Sequence, residues 1–364
     1  MNICVVATAS RESGALSIYK QFMEALMCER EQDKYYVFID SCMPAPQHES
    51  ITYIKVRTKG FGRIWFDFFG FRRLLKKHCI SPDRIVSFQN TGVRCSTKSQ
   101  IIYFHNLLPL VKRNWNPFKY EERSLFFYRF LYPQYVRLLL QKEMKVAVQA
   151  NFIKGLFSSR FGFPAERIGV FRPGARLAVP SEPAGDLLDK EHVHFLYPAL
   201  PLFYKRHDIL INAARCLRES RKELFHKIVI HLTADKQGCK HLMRDITQNQ
   251  LERHFVFHGQ MPQPTLYGYY SQCHALLFPS EMETIGLPLL EAASVGLPIA
   301  VTDRPYARET LSDYSGVSFI APEDNGRQWA EYMADVCNNP PGKSLYIIKD
   351  TTSWSDFIRW IKEL

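Results

Sequence analysis

Two carboxylates flank a glycine loop in the second half of the chain. Glu283 precedes the loop, and Glu291 follows after seven residues, in the string Glu-Thr-Ile-Gly-Leu-Pro-Leu-Leu-Glu. Pro288 suits the first position of a helix, where its missing N–H costs nothing. Gly296 and Pro298 are typical of a helix end. This order predicts a strand end, a loop and a short helix over residues 288–295.

The loop between the two carboxylates has the composition of an anion site. N–H groups that precede a helix have no partner inside it, and they attract negative charge. A glycine at this point lets a ligand approach the backbone closely. A phosphate-bearing ligand with hydroxyl groups at both ends would fit between Glu283 and Glu291. The residues whose N–H groups are expected to be free are Thr284, Ile285, Gly286 and Leu287.

This segment closely resembles the E-x7-E signature of the retaining glycosyltransferases of family four. That family has the GT-B fold, an α/β fold of two Rossmann-like domains with a cleft between them and a C-terminal helix that crosses back to the first domain. The resemblance implies that Glu283 lies beside the donor sugar and that Glu291 hydrogen-bonds the nucleotide ribose. It is strong over 195–324 and weak over 1–145. The alternative is a buried amphipathic helix whose glutamate is solvated and stabilised by the helix dipole.

His105 is a second candidate for chemistry. It follows the apolar run Ile101–Phe104, so we expect it at the carboxyl end of a strand, where open α/β sheets bind their ligands. The resemblance makes it the histidine on the donor-sugar side of the cleft, close to the sugar hydroxyls. The alternative is a histidine that only caps a loop by a hydrogen bond.

Lys205 follows the first strand predicted for the second domain. The resemblance implies that this lysine binds the donor pyrophosphate, a role that suits a compact and mobile ammonium group. Many family members carry an arginine five or six residues earlier, where this chain has Leu200 and Ala199. Either Arg206 replaces that arginine, or the phosphates rely on Lys205 and backbone amides.

Gly14 opens the first predicted helix, which runs to about Cys28. The resemblance equates it with the first glycine of a pair beside the donor phosphates, and the second glycine is absent here. The predicted catalytic residues are thus Glu283, His105 and Lys205. The predicted donor-binding residues are Gly14, Lys205, Arg206, Thr284, Ile285, Gly286, Leu287 and Glu291.

Strands alternate with helices along most of the chain, which predicts doubly wound parallel sheets. Residues 1–172 are the predicted acceptor-side domain, 173–192 a linker and 193–349 the nucleotide-sugar domain. A helix at about 350–364, with Trp354, Phe357, Trp360 and Ile361 on one apolar stripe, is predicted to join the first domain. The strands of the first domain are predicted at 2–7, 35–39, 51–56, 84–87, 101–104, 145–149 and 168–171, and those of the second at 194–197, 227–232, 255–257, 275–278 and 299–301.

Composition favours a cytoplasmic protein. The 364 residues include nine scattered cysteines without a C-x-x-C pair. This pattern is typical of reduced thiols and argues against a metal cluster. The first residues read as a strand rather than a signal peptide. No apolar run approaches the roughly 18 residues that span a bilayer. We therefore expect a soluble protein, or one that is peripheral on the inner face of the cell membrane.

The positive charge is concentrated in the first domain. Residues 1–172 hold 27 of the 47 basic residues but only 13 of the 36 acidic ones. Stretches 55–78 and 112–137 mix cations with aromatic residues, which suits an anionic membrane surface. Alternatively, the aromatic residues belong to the core, and the charged residues are merely solvated at the surface. Without a recognised nucleic-acid module, we expect no nucleic-acid partner. The aromatic residues include Phe61, Trp65, Phe66, Phe69, Phe71, Trp115, Phe118 and Phe127.

The sequence thus predicts a retaining glycosyltransferase that moves a sugar from a UDP- or GDP-linked donor to a glycan or lipid-diphosphate-linked acceptor in surface-polysaccharide synthesis. We expect no cofactor and no metal ion, since no D-x-D motif occurs in the chain. Two alternatives remain open. A sugar-nucleotide epimerase of GT-B type would turn over donor without acceptor, and a catalytically silent protein would bind nucleotide sugar without turnover.

Overall fold

The computed structural model describes residues 1–11, 13–29, 33–58, 60–97, 99–174, 185–344, 346 and 354–363. The chain divides into two compact units. The first comprises Met1–Gly174 with Asp350–Leu364, and the second comprises Ala175–Lys349. Half of the linker predicted at 173–192, residues 175–184, lies outside the described residues. Among the described residues, no helix is both long enough and apolar enough to cross a membrane.

The first unit contains a seven-stranded parallel sheet in the order β3-β2-β1-β4-β5-β6-β7. Its strands carry nearly continuous apolar runs because helices cover both faces of such a sheet. Residues 101–104 of β5, for example, are all buried. The strands are β1 (Asn2–Val6), β2 (Lys34–Asp40), β3 (Ile51–Val56), β4 (Arg84–Ser87), β5 (Gln100–Phe104), β6 (Lys145–Val148) and β7 (Ile168–Val170).

Two helical segments of the first unit contain a π-helical stretch. Phe66–Gly70 joins α2 to α3, and Phe127–Leu131 joins α4 to α5. In both segments the wider turn interrupts an otherwise α-helical run. Periodicity alone does not reveal a single wider turn, which the segment adopts to fit its neighbours. The α-helices of this unit are α1 (Ser13–Cys28), α2 (Phe61–Trp65), α3 (Phe71–Lys77), α4 (Arg123–Phe126), α5 (Tyr132–Leu139), α6 (Asn151–Phe161) and the C-terminal α14 (Trp354–Lys362).

Helix α14 packs into the core of the first unit, as predicted. Phe357, Ile358 and Ile361 are buried in the same cluster as residues of α1 and of strands β1 and β2. Trp354 lies against that cluster, and its Nε1 donates a hydrogen bond to Gln21 Oε1 at 3.1 Å. The apolar stripe seen in the sequence therefore joins the last residues to the first sheet.

The second unit contains a six-stranded parallel sheet in the order β10-β9-β8-β11-β12-β13. Its strands are β8 (Val193–Tyr197), β9 (Ile228–Leu232), β10 (Phe255–Phe257), β11 (Ala275–Phe278), β12 (Ile299–Thr302) and β13 (Val317–Ile320). Its helices are α7 (His207–Ser220), α8 (Lys222–Phe225), α9 (Lys240–Gln248), α10 (Gln263–Gln272), α11 (Leu287–Ser294), α12 (Pro305–Thr310) and α13 (Arg327–Asn338).

The strand order reverses between β8 and β11, which are parallel neighbours. The loop after β8 and the loop after β11 therefore leave the sheet in opposite directions. Ligands of open α/β sheets bind at such a switch point, outside the carboxyl ends of the strands. Lys205 lies in the first of these loops and Glu283 in the second.

The sequence analysis missed α12, β13 and α13. The signal for α13 is present, since Trp329, Met333 and Val336 recur at helical spacing and are buried. Strand β13 lies at the edge of the sheet and has only four residues of mixed exposure, so its pattern is weak. These elements add one strand, β13, to the edge of the sheet.

A row of hydrogen-bonded histidines crosses β8, β9 and the end of β10. His194 Nδ1 lies 2.9 Å from His231 Nε2, and His231 Nδ1 lies 2.9 Å from His258 Nε2. His194 Nε2 lies 3.1 Å from the carbonyl oxygen of Asp189, which only accepts. The neutral row therefore has one consistent arrangement, in which every Nε2 carries the proton. Burial lowers the pKa of His194, of His258 and, to about 3, of His231.

We expect this histidine row to make the protein sensitive to mild acid. Unfolded histidines titrate near pH 6.5, whereas burial lowers the pKa of each of these folded histidines, that of His231 to about 3. As the pH falls below about 6.5, only the unfolded chain takes up these protons, so the free energy of unfolding decreases. For His231 alone the loss is up to about 1.4 kcal/mol per pH unit.

Thermal unfolding measured between pH 8 and pH 5 tests this expectation, with His231→Gln as the variant. The slope of Tm against pH should be shallower in the variant, whatever its absolute stability. A wild-type Tm that stays constant over this range would contradict it.

Candidate functional site in the second unit and the histidine of the first

Lys205 and Glu283 form an ion pair between the loops that follow β8 and β11. Their side chains are 15% and 14% exposed, so the pair is largely shielded from water. The loops are joined further by the amide of Glu281, which donates to the carbonyl oxygen of Tyr204 at 2.9 Å. Tyr197, from β8, donates its hydroxyl hydrogen to the carbonyl oxygen of Lys205 at 2.5 Å. The structure thus brings together two of the three predicted catalytic residues.

Arg206 lies beside this pair but is held by two carboxylates. It contacts Asp208 through both Nε at 3.0 Å and Nη2 at 2.9 Å, and its Nη1 lies 2.5 Å from Glu281. Its backbone is left-handed, with φ 53°, an uncommon conformation for a side chain of this size. Arg206 therefore ties the start of α7 to the loop after β11.

Gly286 lies directly before helix α11, in the loop that the sequence predicted ahead of a helix. Its φ of 68° is left-handed, and an added Cβ would lie 3.1 Å from Leu289 Cδ1. Among the described hydrogen bonds, none uses the amides of residues 284–287. These amides lie beside Glu283, so an anion bound to them would also meet the Lys205 ammonium group.

Tyr306, from α12, packs against the loop that contains Gly286. Its buried hydroxyl donates to the carbonyl oxygen of Ser280 at 2.6 Å, and its ring would lie 3.6 Å from a Cβ placed on Gly286. Thr310 donates to the carbonyl oxygen of Ile285 at 2.7 Å. Sequence reasoning did not single out these two residues, because their partners lie some 25 residues earlier in the chain.

Glu291 is half-buried in the second turn of α11. Its Oε2 accepts a hydrogen bond from the Tyr270 hydroxyl at 2.8 Å. Burial raises the pKa of the carboxyl group, and the bond from Tyr270 opposes that change. Tyr270 therefore orients the carboxylate and helps to keep it charged.

In the first unit, His105 lies at the carboxyl end of β5, as predicted. Its amide donates to Asn90 Oδ1 at 2.6 Å, and its Nε2 lies 3.4 Å from Asn90 Nδ2. Burial lowers the pKa of His105 to about 4, so the imidazole is neutral at neutral pH. Asn90 has a left-handed backbone, with φ 63°, and this conformation points its amide group at the histidine. The sequence analysis missed this partner.

A buried carboxylate, Asp67, fixes the loop that carries Asn90. Asp67 accepts from Gln89 Nε2 at 3.1 Å and from Thr91 Oγ1 at 3.3 Å, the residues on either side of Asn90. Arg63 Nε lies 3.5 Å from Asp67, and its Nη2 donates to the carbonyl oxygen of Gln89 at 2.6 Å. The charge of Asp67 is thus matched by a guanidinium group and spread over hydrogen bonds.

Gly14 is the second residue of α1. A Cβ on it would meet no atom within 4 Å. Space around the glycine therefore remains open, and its donor-binding role stays a prediction. Within the described part of the chain, no group of three or more His, Cys, Asp or Glu residues could hold a metal ion.

The aromatic residues of 55–78 and 112–137 divide into two sets. Phe66, Phe71 and Trp115 are buried, which corrects their assignment to a surface. Phe61 and Phe118 are 89% and 87% exposed. The two stretches contact each other, since Tyr135 donates a hydrogen bond to Asp67. Together they form a layer that is partly core and partly an exposed aromatic face. We define this aromatic face as Phe61, Trp65, Phe69, Phe118, Tyr120 and Phe127.

Residues 184–354, most of the second unit, match the protein family described as "Glycosyl transferases group 1". This part of the chain is a group 1 glycosyltransferase domain. The match covers the Lys205–Glu283 pair, the free amides and Glu291. The predicted glycosyltransferase family is thereby confirmed for this part of the chain, whereas retention and the roles of individual site residues stay predictions.

Two curated relatives are similar to the chain. One is a D-inositol 3-phosphate glycosyltransferase of Thermobispora bispora, 26% identical over 49% of this chain and 44% of the relative. The other is the O-antigen chain mannosyltransferase RfbU of Salmonella typhimurium, 21% identical over 72% of this chain and 69% of the relative. The chain thus spans less than half the length of the first relative.

Solved structures resemble the whole chain in fold. WaaG, a glycosyltransferase involved in lipopolysaccharide biosynthesis, matches with a TM-score of 0.67 at 15% identity, over 100% of this chain and 95% of WaaG. HepE of Anabaena in complex with UDP-glucose matches with a TM-score of 0.65 at 14% identity, over 100% and 98%. The predicted GT-B fold class is confirmed.

We expect Glu291→Ala to weaken nucleotide binding by about 1.5–3 kcal/mol, the range for a lost charge-assisted hydrogen bond. Tyr270→Phe leaves the carboxylate in place and should cost only about 0.5–1.5 kcal/mol. Calorimetric titration with UDP, GDP, uridine and guanosine provides the measurement. If Glu291 binds the ribose, the nucleoside and the nucleotide should weaken by the same factor. Equal nucleotide affinity in wild type and Glu291→Ala would contradict the ribose contact.

Proposed function

We propose that this chain transfers a sugar, with retention of its anomeric configuration, from a UDP- or GDP-linked donor to a glycan or lipid-linked glycan acceptor. The observation that carries the proposal is the Lys205–Glu283 pair beside unused amides at the switch point of the second sheet. This arrangement offers donors to a diphosphate and an acceptor to sugar hydroxyls. A group 1 glycosyltransferase domain surrounds it.

The departure of a nucleoside diphosphate builds negative charge on its β-phosphate. The Lys205 ammonium group and the amides of residues 284–287 are positioned before the reaction, so they need little reorganisation to stabilise that charge. Fixed donors of this kind are worth several kcal/mol in a water-poor site. When the diphosphate binds, it competes with Glu283 for Lys205, and the released carboxylate becomes free to accept hydrogen bonds from the sugar.

Retention follows if the acceptor attacks from the face that the diphosphate leaves. We propose that Glu283 binds sugar hydroxyls rather than the anomeric carbon, because its carboxylate is directed at Lys205. The departing phosphate then takes the proton of the acceptor hydroxyl. The neutral imidazole of His105 would add a hydrogen bond to the sugar. No step requires a metal ion, and the chain has no D-x-D motif.

The comparisons support the substrate classes. HepE was solved with UDP-glucose, RfbU is an O-antigen chain mannosyltransferase, and WaaG is involved in lipopolysaccharide biosynthesis. We propose, by analogy, a hexose donor and an acceptor from surface-polysaccharide synthesis. This analogy concerns substrate class alone, since the identities are low.

We expect Lys205→Ala to weaken UDP and GDP binding at least about tenfold, since a charged contact to phosphate is typically worth 1.5–3 kcal/mol. Uridine and guanosine should bind as they do to wild type. Lys222→Ala is the matched control, because Lys222 is exposed and lies before the amino end of β9, whereas the site lies at the carboxyl ends of the strands. Calorimetry measures all these affinities.

Four results would contradict parts of this proposal. Equal weakening of nucleoside and nucleotide would make Lys205 structural. Loss of transfer in EDTA with rescue by manganese would overturn metal independence. Product of inverted configuration, by NMR of the anomeric proton, would overturn retention. Conversion of donor without acceptor would favour an epimerase instead.

We also propose that the first unit docks on an anionic membrane surface, where a lipid-linked acceptor is found. The aromatic face has Phe61, Trp65 and Phe69 at four-residue spacing, and the last of these is 61% exposed. The same helical segment carries four exposed cations, Arg72, Arg73, Lys76 and Lys77. Exposed aromatic residues beside cations match the chemistry of a lipid headgroup layer.

Reversal of these four cations to Glu should release the protein from anionic vesicles. Each basic residue near such a surface is worth about 1 kcal/mol, so we expect binding to fall well over tenfold. UDP and GDP binding should not change, because it belongs to the second unit. Co-sedimentation with phosphatidylserine vesicles, at low and high salt, measures the effect.

The matched control reverses four exposed cations of the second unit, Lys222, Lys236, Arg244 and Arg253. This control changes the net charge equally and should keep vesicle binding. Equal binding to neutral and anionic vesicles, unchanged in both variants, would contradict membrane docking.

A further inference from the structure

The cations nearest the proposed diphosphate site are already neutralised by carboxylates. Lys205 is paired with Glu283, and Arg206 is paired with both Glu281 and Asp208. Two positive charges therefore face three negative ones. A diphosphate adds further negative charge, so its binding calls for a cation that has no carboxylate partner of its own.

Arg304 is such a cation at the same edge of the sheet. Arg304 lies two residues beyond Thr302, the last residue of β12, and β12 is the parallel neighbour of β11. The carboxyl ends of β11 and β12 therefore bring Arg304 next to the loop that carries Glu283. Arg304 directly precedes α12, whose Tyr306 lies beneath Gly286.

The neighbouring carboxylate is occupied by another arginine. Arg308 binds Asp303 through two contacts, Nε to Oδ1 at 2.7 Å and Nη2 to Oδ2 at 2.6 Å. Arg304 has no ion pair in the part of the chain that the structure describes, and its buried Nε has no hydrogen-bond partner there. A buried N–H group without a hydrogen-bond partner, such as Nε of Arg304, is costly unless a ligand provides one.

The charges of Arg304 and Glu283 both influence the hydroxyl group of Tyr306. Burial raises the pKa of the Tyr306 hydroxyl, Glu283 raises it further, and Arg304 lowers it. That hydroxyl is bonded to the carbonyl oxygen of Ser280 at the end of β11. The guanidinium group therefore lies within electrostatic range of the loop on which the amides of residues 284–287 are free.

We propose that Arg304 binds a phosphate oxygen of the nucleotide-sugar donor and supplies the cation that the arginine before Lys205 would otherwise provide. That earlier position holds Ala199 and Leu200 in this chain. A guanidinium group presents two parallel donors, which match two phosphate oxygens. The inference rests on the proposed function, since it assumes a diphosphate ligand at this site. Arg206 instead holds Asp208 and Glu281 together.

The test compares Arg304→Ala and Arg304→Lys with Arg253→Ala by calorimetry with UDP, GDP, uridine and guanosine. Arg253 is exposed and precedes β10, at the edge of the sheet opposite the site. We expect Arg304→Ala to weaken the preferred diphosphate at least tenfold and its nucleoside less than twofold. Arg304→Lys should fall between, because it keeps the charge but loses the second donor. Arg253→Ala should match wild type.

Arg206→Ala tests the alternative that Arg206, rather than Arg304, binds the phosphate. If it weakens the diphosphate selectively while Arg304→Ala does not, Arg206 is the substitute and the inference falls. It also falls if Arg304→Ala weakens nucleoside and diphosphate equally. Should Arg304→Ala fail to fold, as judged by thermal unfolding, Arg304→Gln takes its place with the same expected loss. A wild type that binds neither UDP nor GDP overturns the proposed function itself, whereas unchanged affinity in Arg304→Ala overturns only this inference.

Discussion

Parallel pairing of β8 with β11 is the constraint on which the candidate site depends. These strands are far apart in sequence, and the chain adds strands on opposite sides of the pair. Because the loops at their carboxyl ends must diverge, backbone groups there cannot be satisfied by a shared turn. The amides of residues 284–287 lie at the start of α11, where no helical carbonyl precedes them, and the left-handed glycine at 286 begins that helix.

Two ion pairs connect the loops that follow β8 and β11. Lys205 with Glu283 and Arg206 with Glu281 connect adjacent residues of one loop to nearby residues of the other. Removing one partner leaves a shielded charge unmatched, which costs more than the pair itself contributes. A nucleotide that binds here exchanges existing contacts for new ones. The net affinity of the nucleotide is therefore the difference between the contacts it gains and the ion-pair contacts it disrupts. A single substitution in one of these pairs changes both quantities.

Local signals explain why the loop from Glu283 to Glu291 was predicted well. Glycine and proline act within a few residues, and they mark the helix start whatever the rest of the chain does. The partners of Arg206 and Glu291 could not be predicted in the same way, since Glu281 and Tyr270 are placed by the sheet rather than by sequence spacing. The burial of Phe66 and Trp115 was also misjudged, because an aromatic residue beside cations has the same local pattern on a surface and in a core.

Asn90 and His105 together have an evolutionary consequence. A left-handed backbone at position 90 favours glycine, asparagine or aspartate. Glycine offers no side-chain acceptor to the amide of residue 105, whereas an oxygen of asparagine or aspartate accepts from it. Asparagine also donates to Nε2, and aspartate instead accepts from the imidazole tautomer that carries its proton on Nε2. Relatives that keep this histidine should therefore keep asparagine or aspartate in the loop after β4, and an exchange between the two should change the histidine tautomer.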